Sequence, residues 1–183
     1  MNRPVLFASL ALAMTLAGCG RDGVEMENAS VEEVAEGVRK EGLGDRFIDP
    51  GKWTQTVTLV SIDAPGMPDE ARTAMQQAVN QVQVHEVCLT PEEAKSPRED
   101  FFTGKDQNCR YDHFNWGNGK IDLKLNCEHP NAKQTMELAG TYEPRAYSMT
   151  MTASNEGSGP EEQMVMKMRV DAKHVGECTG SEG

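Results

Sequence analysis

The stretch from Cys109 to Cys127 restricts the fold more than any other part of the chain. Two alternating segments, Cys109–Trp116 and Lys120–Cys127, are joined there by Gly117-Asn118-Gly119. Asn-Gly between alternating apolar residues is the strongest short-range hairpin signal, because both central residues of the favoured turn need positive φ. Trp53–Ile62, Gln81–Leu89, Gln134–Tyr142, Tyr147–Ala153, Gln163–Val170 and Ala172–Cys178 also read as short strands, parted by Pro, Gly, Asn and Ser turns. Parallel crossovers would need long helices between these segments, and the chain has none. The expected fold is therefore mainly β. It is an antiparallel meander of about eight strands forming a curled sheet or small barrel, with two or three short helices.

The helices are short and carry their own start signals. Pro68, followed by Asp69 and Glu70, suits the first turn of a helix over Pro68–Asn80, with Met67, Ala71, Ala74, Met75, Ala78 and Val79 as its apolar stripe. Thr90-Pro91-Glu92-Glu93 opens one or two further turns. Ser30 and Glu33 have capping-box spacing, and Val31, Val34, Ala35 and Val38 recur at helical intervals. The stretch around this last helix is polar, acidic and rich in glycine. Residues 19–46 accordingly read as an acidic tether with a short helix, and residues 47–183 as a single disulfide-bonded β domain.

The hairpin poses a problem of phase. A three-residue loop with Gly119 left-handed sets Cys109 opposite Cys127 and Tyr111 opposite Leu125. A two-residue Asn118-Gly119 turn instead pairs Trp116 with Ile121 and Phe114 with Leu123, which sends Cys109 to the other face. One bulge near Asp112 satisfies both patterns.

The N-terminus reads as an export signal. Arg3 precedes an apolar run from Val5 to Met14, and Leu16-Ala17-Gly18-Cys19 ends it. That ending resembles the lipobox of bacterial lipoproteins, in which the peptidase cuts before a cysteine already carrying diacylglycerol. Residues 1–18 are thus the expected signal peptide and Cys19 the lipid attachment site, with further acylation such as palmitate. Acyl chains contribute about 0.8 kcal/mol per buried CH₂, so several chains anchor a protein firmly. Gly20 in place of an aspartate favours the outer membrane, facing the periplasm. The whole chain carries 18 basic and 29 acidic residues. Removing Arg3 with the signal gives 17 − 29 = −12. Such a surface is unsuited to nucleic acid and gains nothing from anionic lipid, so the acyl group must hold the membrane.

With Cys19 acylated, Cys88, Cys109, Cys127 and Cys178 remain. An even count in an exported chain reads as two disulfides, with three connectivities open. Hairpin register favours Cys109–Cys127 and leaves Cys88–Cys178 by elimination. No Cys or His pair has zinc-ligand spacing.

Several motifs follow one another in a recognisable order: Pro50-Gly51-Lys52-Trp53, Pro65-Gly66-Met67-Pro68 and Cys88-Leu89-Thr90-Pro91-Glu92-Glu93-Ala94. Cys109, Cys127, Gly140-Thr141-Tyr142, Tyr147 and Gly176-Glu177-Cys178 come after them. From Phe47 to Cys178 the chain resembles the proteobacterial exported proteins grouped as domain of unknown function family 3617. The resemblance implies an exported, mostly β domain with four cysteines. It implies no reaction and carries over no catalytic residue.

Nothing in the sequence builds an enzyme site. His85, His113, His129 and His174 are the only histidines, and neighbouring carboxylates such as Glu86 and Glu128 fall on opposite strand faces. No nucleophile elbow, phosphate loop or His-Glu-x-x-His motif occurs. Methionine is the one oddity. Met149 and Met151, then Met164, Met166 and Met168, alternate along two strands and so share a face. The reading retained is core packing, with an adaptable apolar pocket and a soft Cu(I) site as alternatives. The expected function is non-enzymatic, without cofactor. It is a lipid-anchored envelope module that binds or scaffolds an apolar ligand or another envelope protein, the alternative being Cu(I) handling.

Overall fold

The computed structural model describes residues 23–42, 47–79, 81–95, 108–159 and 163–180. Eight strands form one antiparallel sheet. They are β1 (Gly23–Ser30), β2 (Gly51–Asp63), β3 (Val82–Leu89), β4 (Cys109–Gly117), β5 (Lys120–His129), β6 (Ala132–Glu143), β7 (Ala146–Gly157) and β8 (Met164–Gly176). Three helices interrupt them: α1 (Val31–Lys40), α2 (Asp69–Ala78) and α3 (Pro91–Lys95). The strand order is β1-β4-β5-β6-β7-β8-β2-β3. The sheet is curled but unclosed, so the barrel alternative falls away. The expected signal peptide and Cys19 lie outside the described residues.

The central hairpin has both features that its sequence demanded. Asn118 and Gly119 have φ of 52° and 72°, and Trp116 faces Ile121. Cys109 nevertheless faces Cys127, because the register slips between Tyr111 and His113. Asp112 is the extra residue. It moves the alternation by one place, so that Cys109, Tyr111, Phe114 and Trp116 all lie in the core. Strand β1 makes the matching adjustment. Asn28, at φ 49°, sits where Val24 and Met26 change phase with Ala29.

Two elements differ from the sequence reading. Gly23–Ser30, placed by its composition on a tether, is the edge strand paired with β4. Ser30 then caps α1: its Oγ accepts the Glu33 N–H at 3.2 Å, and the Glu33 carboxylate accepts the Ser30 N–H at 2.7 Å. The helix turns back over the sheet and buries Val34, with Val31 and Val38 packed beside it. The second difference is β8, which runs unbroken where two strands were expected. Aspartate is disfavoured in strands, yet Asp171 sits mid-strand because Arg169, two residues away on the same face, grips its carboxylate at 2.7 and 2.9 Å.

Two disulfides close the fold, Cys109–Cys127 within the hairpin and Cys88–Cys178 between β3 and the end of β8. The latter ties the edge strand across β2, which lies between them.

Candidate functional site

Strand register aligns one apolar row across seven strands: Met26, Phe114, Leu123, Leu138, Met151, Met168 and Leu59. Its burial is uneven. Phe114 and Leu123 are 0 and 1 % exposed, whereas Met26 at one end and Met151, Met168 and Leu59 at the other are half-buried. A second row behaves alike, from Trp116 and Ile121 through Gly140 and Met149 to half-buried Val170 and Val57. Gly140 is required there, since a Cβ would meet the Ser148 carbonyl and Met149.

The difference has a plain origin. Helix α1 packs over β1 and β4, and Phe47 beside it meets Trp116 and Tyr142 edge-on at 5.0 and 4.9 Å. This cluster extends as far as Met149, with Met151 packed against its margin, and beyond it Trp53 on β2 and Ala172 on β8 are also buried. Met164, Met166 and Met168 on β8 lie beyond it, half-buried. The expectation that the five methionines share a face is met, since Met151 faces Met168 and Ala153 faces Met166. Of the five, however, only Met149 is buried as a core residue.

Tyrosine and tryptophan bound this face on one side. Tyr147 lies across from Tyr142 and Ala172, its ring 5.7 Å from that of Trp53. Its hydroxyl accepts a hydrogen bond from Gln55 Nε2 at 2.8 Å. Burial pushes the phenol up from its ordinary value, and the Gln55 bond offsets part of that. His174 stands edge-on to Trp53, 5.6 Å between centroids. Arg145 Nη2, which can only donate, lies 2.9 Å from His174 Nδ1, so Nε2 carries the proton and donates to the Pro50 carbonyl at 3.0 Å. Both ring nitrogens of this histidine are engaged in holding the corner together.

The opposite face is polar. Thr54, Thr56, Thr141, Ser148, Asp171 and Lys173 line a shallow groove of about 620 Å³ together with apolar side chains, Val175 among them. The Arg169 hydrogen bond holds the Asp171 carboxyl below its ordinary value, and Ser148 adds to it.

The structure disperses the histidines. His113 pairs with Asp122 at 3.1 Å, His85 lies across from Gln55 on β3, and His174 is at the corner just described. No group of three His, Cys, Asp or Glu side chains among the described residues could hold a metal ion. The methionine face thus presents thioethers and aliphatic carbons, chemistry suited to apolar surfaces or soft metals. Sequence reading missed Val57, Leu59 and Val170 as part of it. Their alternation with Thr56, Thr58 and Arg169 was the available signal.

The family described as Protein of unknown function (DUF3617) matches residues 48–178, well over half of the chain. The chain belongs to the DUF3617 family. The match begins after α1, and β1 and α1 lie before it in the chain. It spans all four paired cysteines and both methionine strands. No curated protein and no solved structure matches this DUF3617 chain.

Proposed function

We propose that this protein is an exported, non-enzymatic binding module, held at the periplasmic face of the outer membrane by an acylated Cys19, that takes an apolar ligand on its methionine face. The observation carrying the reading is the burial gradient along one row, from Phe114 at 0 % exposure to half-buried Met151, Met168 and Leu59. Half-buried apolar side chains on three adjacent strands leave an apolar surface within reach of a ligand. Thioether side chains repack around ligands of varied shape, which suits such a surface to an acyl chain or similar molecule. Two disulfides support export, and the lipobox ending at Cys19 supports anchoring.

The test is native mass spectrometry and elemental analysis of the delipidated protein purified from periplasm. The expected result is a co-purified apolar molecule, lost when Met166→Gln and Met168→Gln are introduced together. A protein that is empty and fails to bind a fluorescent fatty acid would overturn it. The second reading is Cu(I) handling, favoured by one observation, the direct pairing of Met151 with Met168 across β7 and β8. Stoichiometric copper in the elemental analysis would put that reading first.

A further inference from the structure

The two edges of the sheet are built differently. At one, β1 carries exposed Glu25 and Glu27, and Asn28 at φ 49° breaks its regularity. Helix α1 folds back beside it, and Arg110 Nε donates to the Asn28 side chain at 2.7 Å. Charge, irregularity and a covering helix are the ordinary means of protecting an edge from further strand pairing. At the other edge β3 is regular, and among the described residues no helix packs closely on it. It pairs with β2 in eight consecutive residues, from Val82 opposite Thr58 to Leu89 opposite Gly51, without a bulge. From Val82 to Leu89 there is no proline, lysine or arginine. Its single acid, Glu86, is matched by Lys52 at 3.0 Å. Val82 and Val84 are 60 and 61 % exposed, the two most exposed large hydrophobics among the described residues. Among those residues no strand pairs with the outer side of β3.

We infer that β3 is a docking edge for an extended, basic segment of a partner protein, which adds to the sheet as a further strand. Main-chain hydrogen bonds supply the attachment, and Val82 and Val84 read apolar side chains at alternate positions of the incoming strand. The Cys88–Cys178 bridge fixes the end of β3 to the end of β8, so the edge is held ready for pairing. The charge argument selects the occupant. The chain has a net charge of −11, and exposed Glu92 follows the strand, so a lysine- or arginine-bearing segment is attracted. A second copy of the chain would bring −11 against −11. This inference does not depend on the methionine face.

The experiment uses the full mature chain and two synthetic peptides, alternating Lys-Val-Lys-Val-Lys-Val-Lys and the same peptide with its central Val replaced by Pro. Hydrogen exchange followed by NMR reads the β3 amides. The alternating peptide is expected to slow exchange at least tenfold at the alternate amides from Val82 to Glu86 that point away from β2, and the proline peptide to leave them unchanged. Val82→Lys with Val84→Lys should weaken binding tenfold or more, whereas Val175→Lys, an exposed valine away from this edge, should not. Equal binding of both peptides would reduce the effect to charge and overturn the inference, as would unchanged β3 exchange. A dimer in sedimentation equilibrium that Val84→Lys dissolves would overturn the choice of partner in favour of a second copy.

Discussion

Tyr111 and Phe114 are three residues apart on one strand, yet both are fully buried on the same face, their rings 5.3 Å apart edge-on. Strict alternation forbids this. The extra residue Asp112 permits it, and the same shift brings Cys109 opposite Cys127. Deleting Asp112 should turn Tyr111 and Cys109 toward solvent, remove about 2–3 kcal/mol of side-chain burial and prevent the hairpin disulfide from closing. Non-reducing peptide mapping and urea unfolding check this. Asp112→Ser keeps the residue count and should change stability by no more than about 0.5 kcal/mol.

The two bridges should differ in what they contribute. Cys88–Cys178 spans 90 residues and Cys109–Cys127 spans 18. In the loop-entropy account these correspond to about 4.6 and about 3.2 kcal/mol. Replacing Cys88 and Cys178 together with serine should therefore lower the urea midpoint more than the same change at Cys109 and Cys127. The opposite order would place the larger effect in local packing around Tyr111.

Among the methionines, Met149→Ala should cost about 2–5 kcal/mol, since it empties a buried site beside Gly140. Met166→Ala, at a half-buried position, forgoes only part of its transfer energy and should cost about 1 kcal/mol. Equal and large losses at both positions would mean that the whole face is core. Denaturant unfolding distinguishes the two outcomes.

Acid should weaken the polar face through Asp171. Its carboxyl is held below the ordinary value by the Arg169 hydrogen bond, so its contribution is present above the unfolded-state pKa of about 3.9. That contribution is lost as pH falls from there through the lower folded value. Asp171→Asn should thus be less stable than the native chain near pH 7, by no more than about 1 kcal/mol because the pair is solvent-screened. The gap should close below pH of about 4, as followed by urea titration at stepped pH.

Anchoring has its own test at Cys19. Cys19→Ser should fail to incorporate labelled palmitate and leave the membrane fraction, or keep its signal peptide uncleaved. Normal labelling of that variant would remove the lipid anchor from the proposal.

Much of the architecture was legible locally. Asn118-Gly119 fixed the hairpin turn, Ser30 and Glu33 fixed the start of α1, and the phase conflict between Cys109 and Phe114 pointed to a bulge near Asp112. Asp171 hid the continuity of β8, because an isolated aspartate reads as a break until its Arg169 partner is in place.

What the sequence determined by itself was set by short-range chemistry: alternation, turn geometry, capping and the count of cysteines. These act within a few residues, so they can be read without coordinates. The tertiary structure alone decided that β1 leaves the tether to pair with β4, that the sheet stays open, and that α1 packs over β1 and β4. It also decided which methionines are core. Met149 and Met168 have the same side chain and the same alternating setting, and only long-range packing buries the first and leaves the second half-buried.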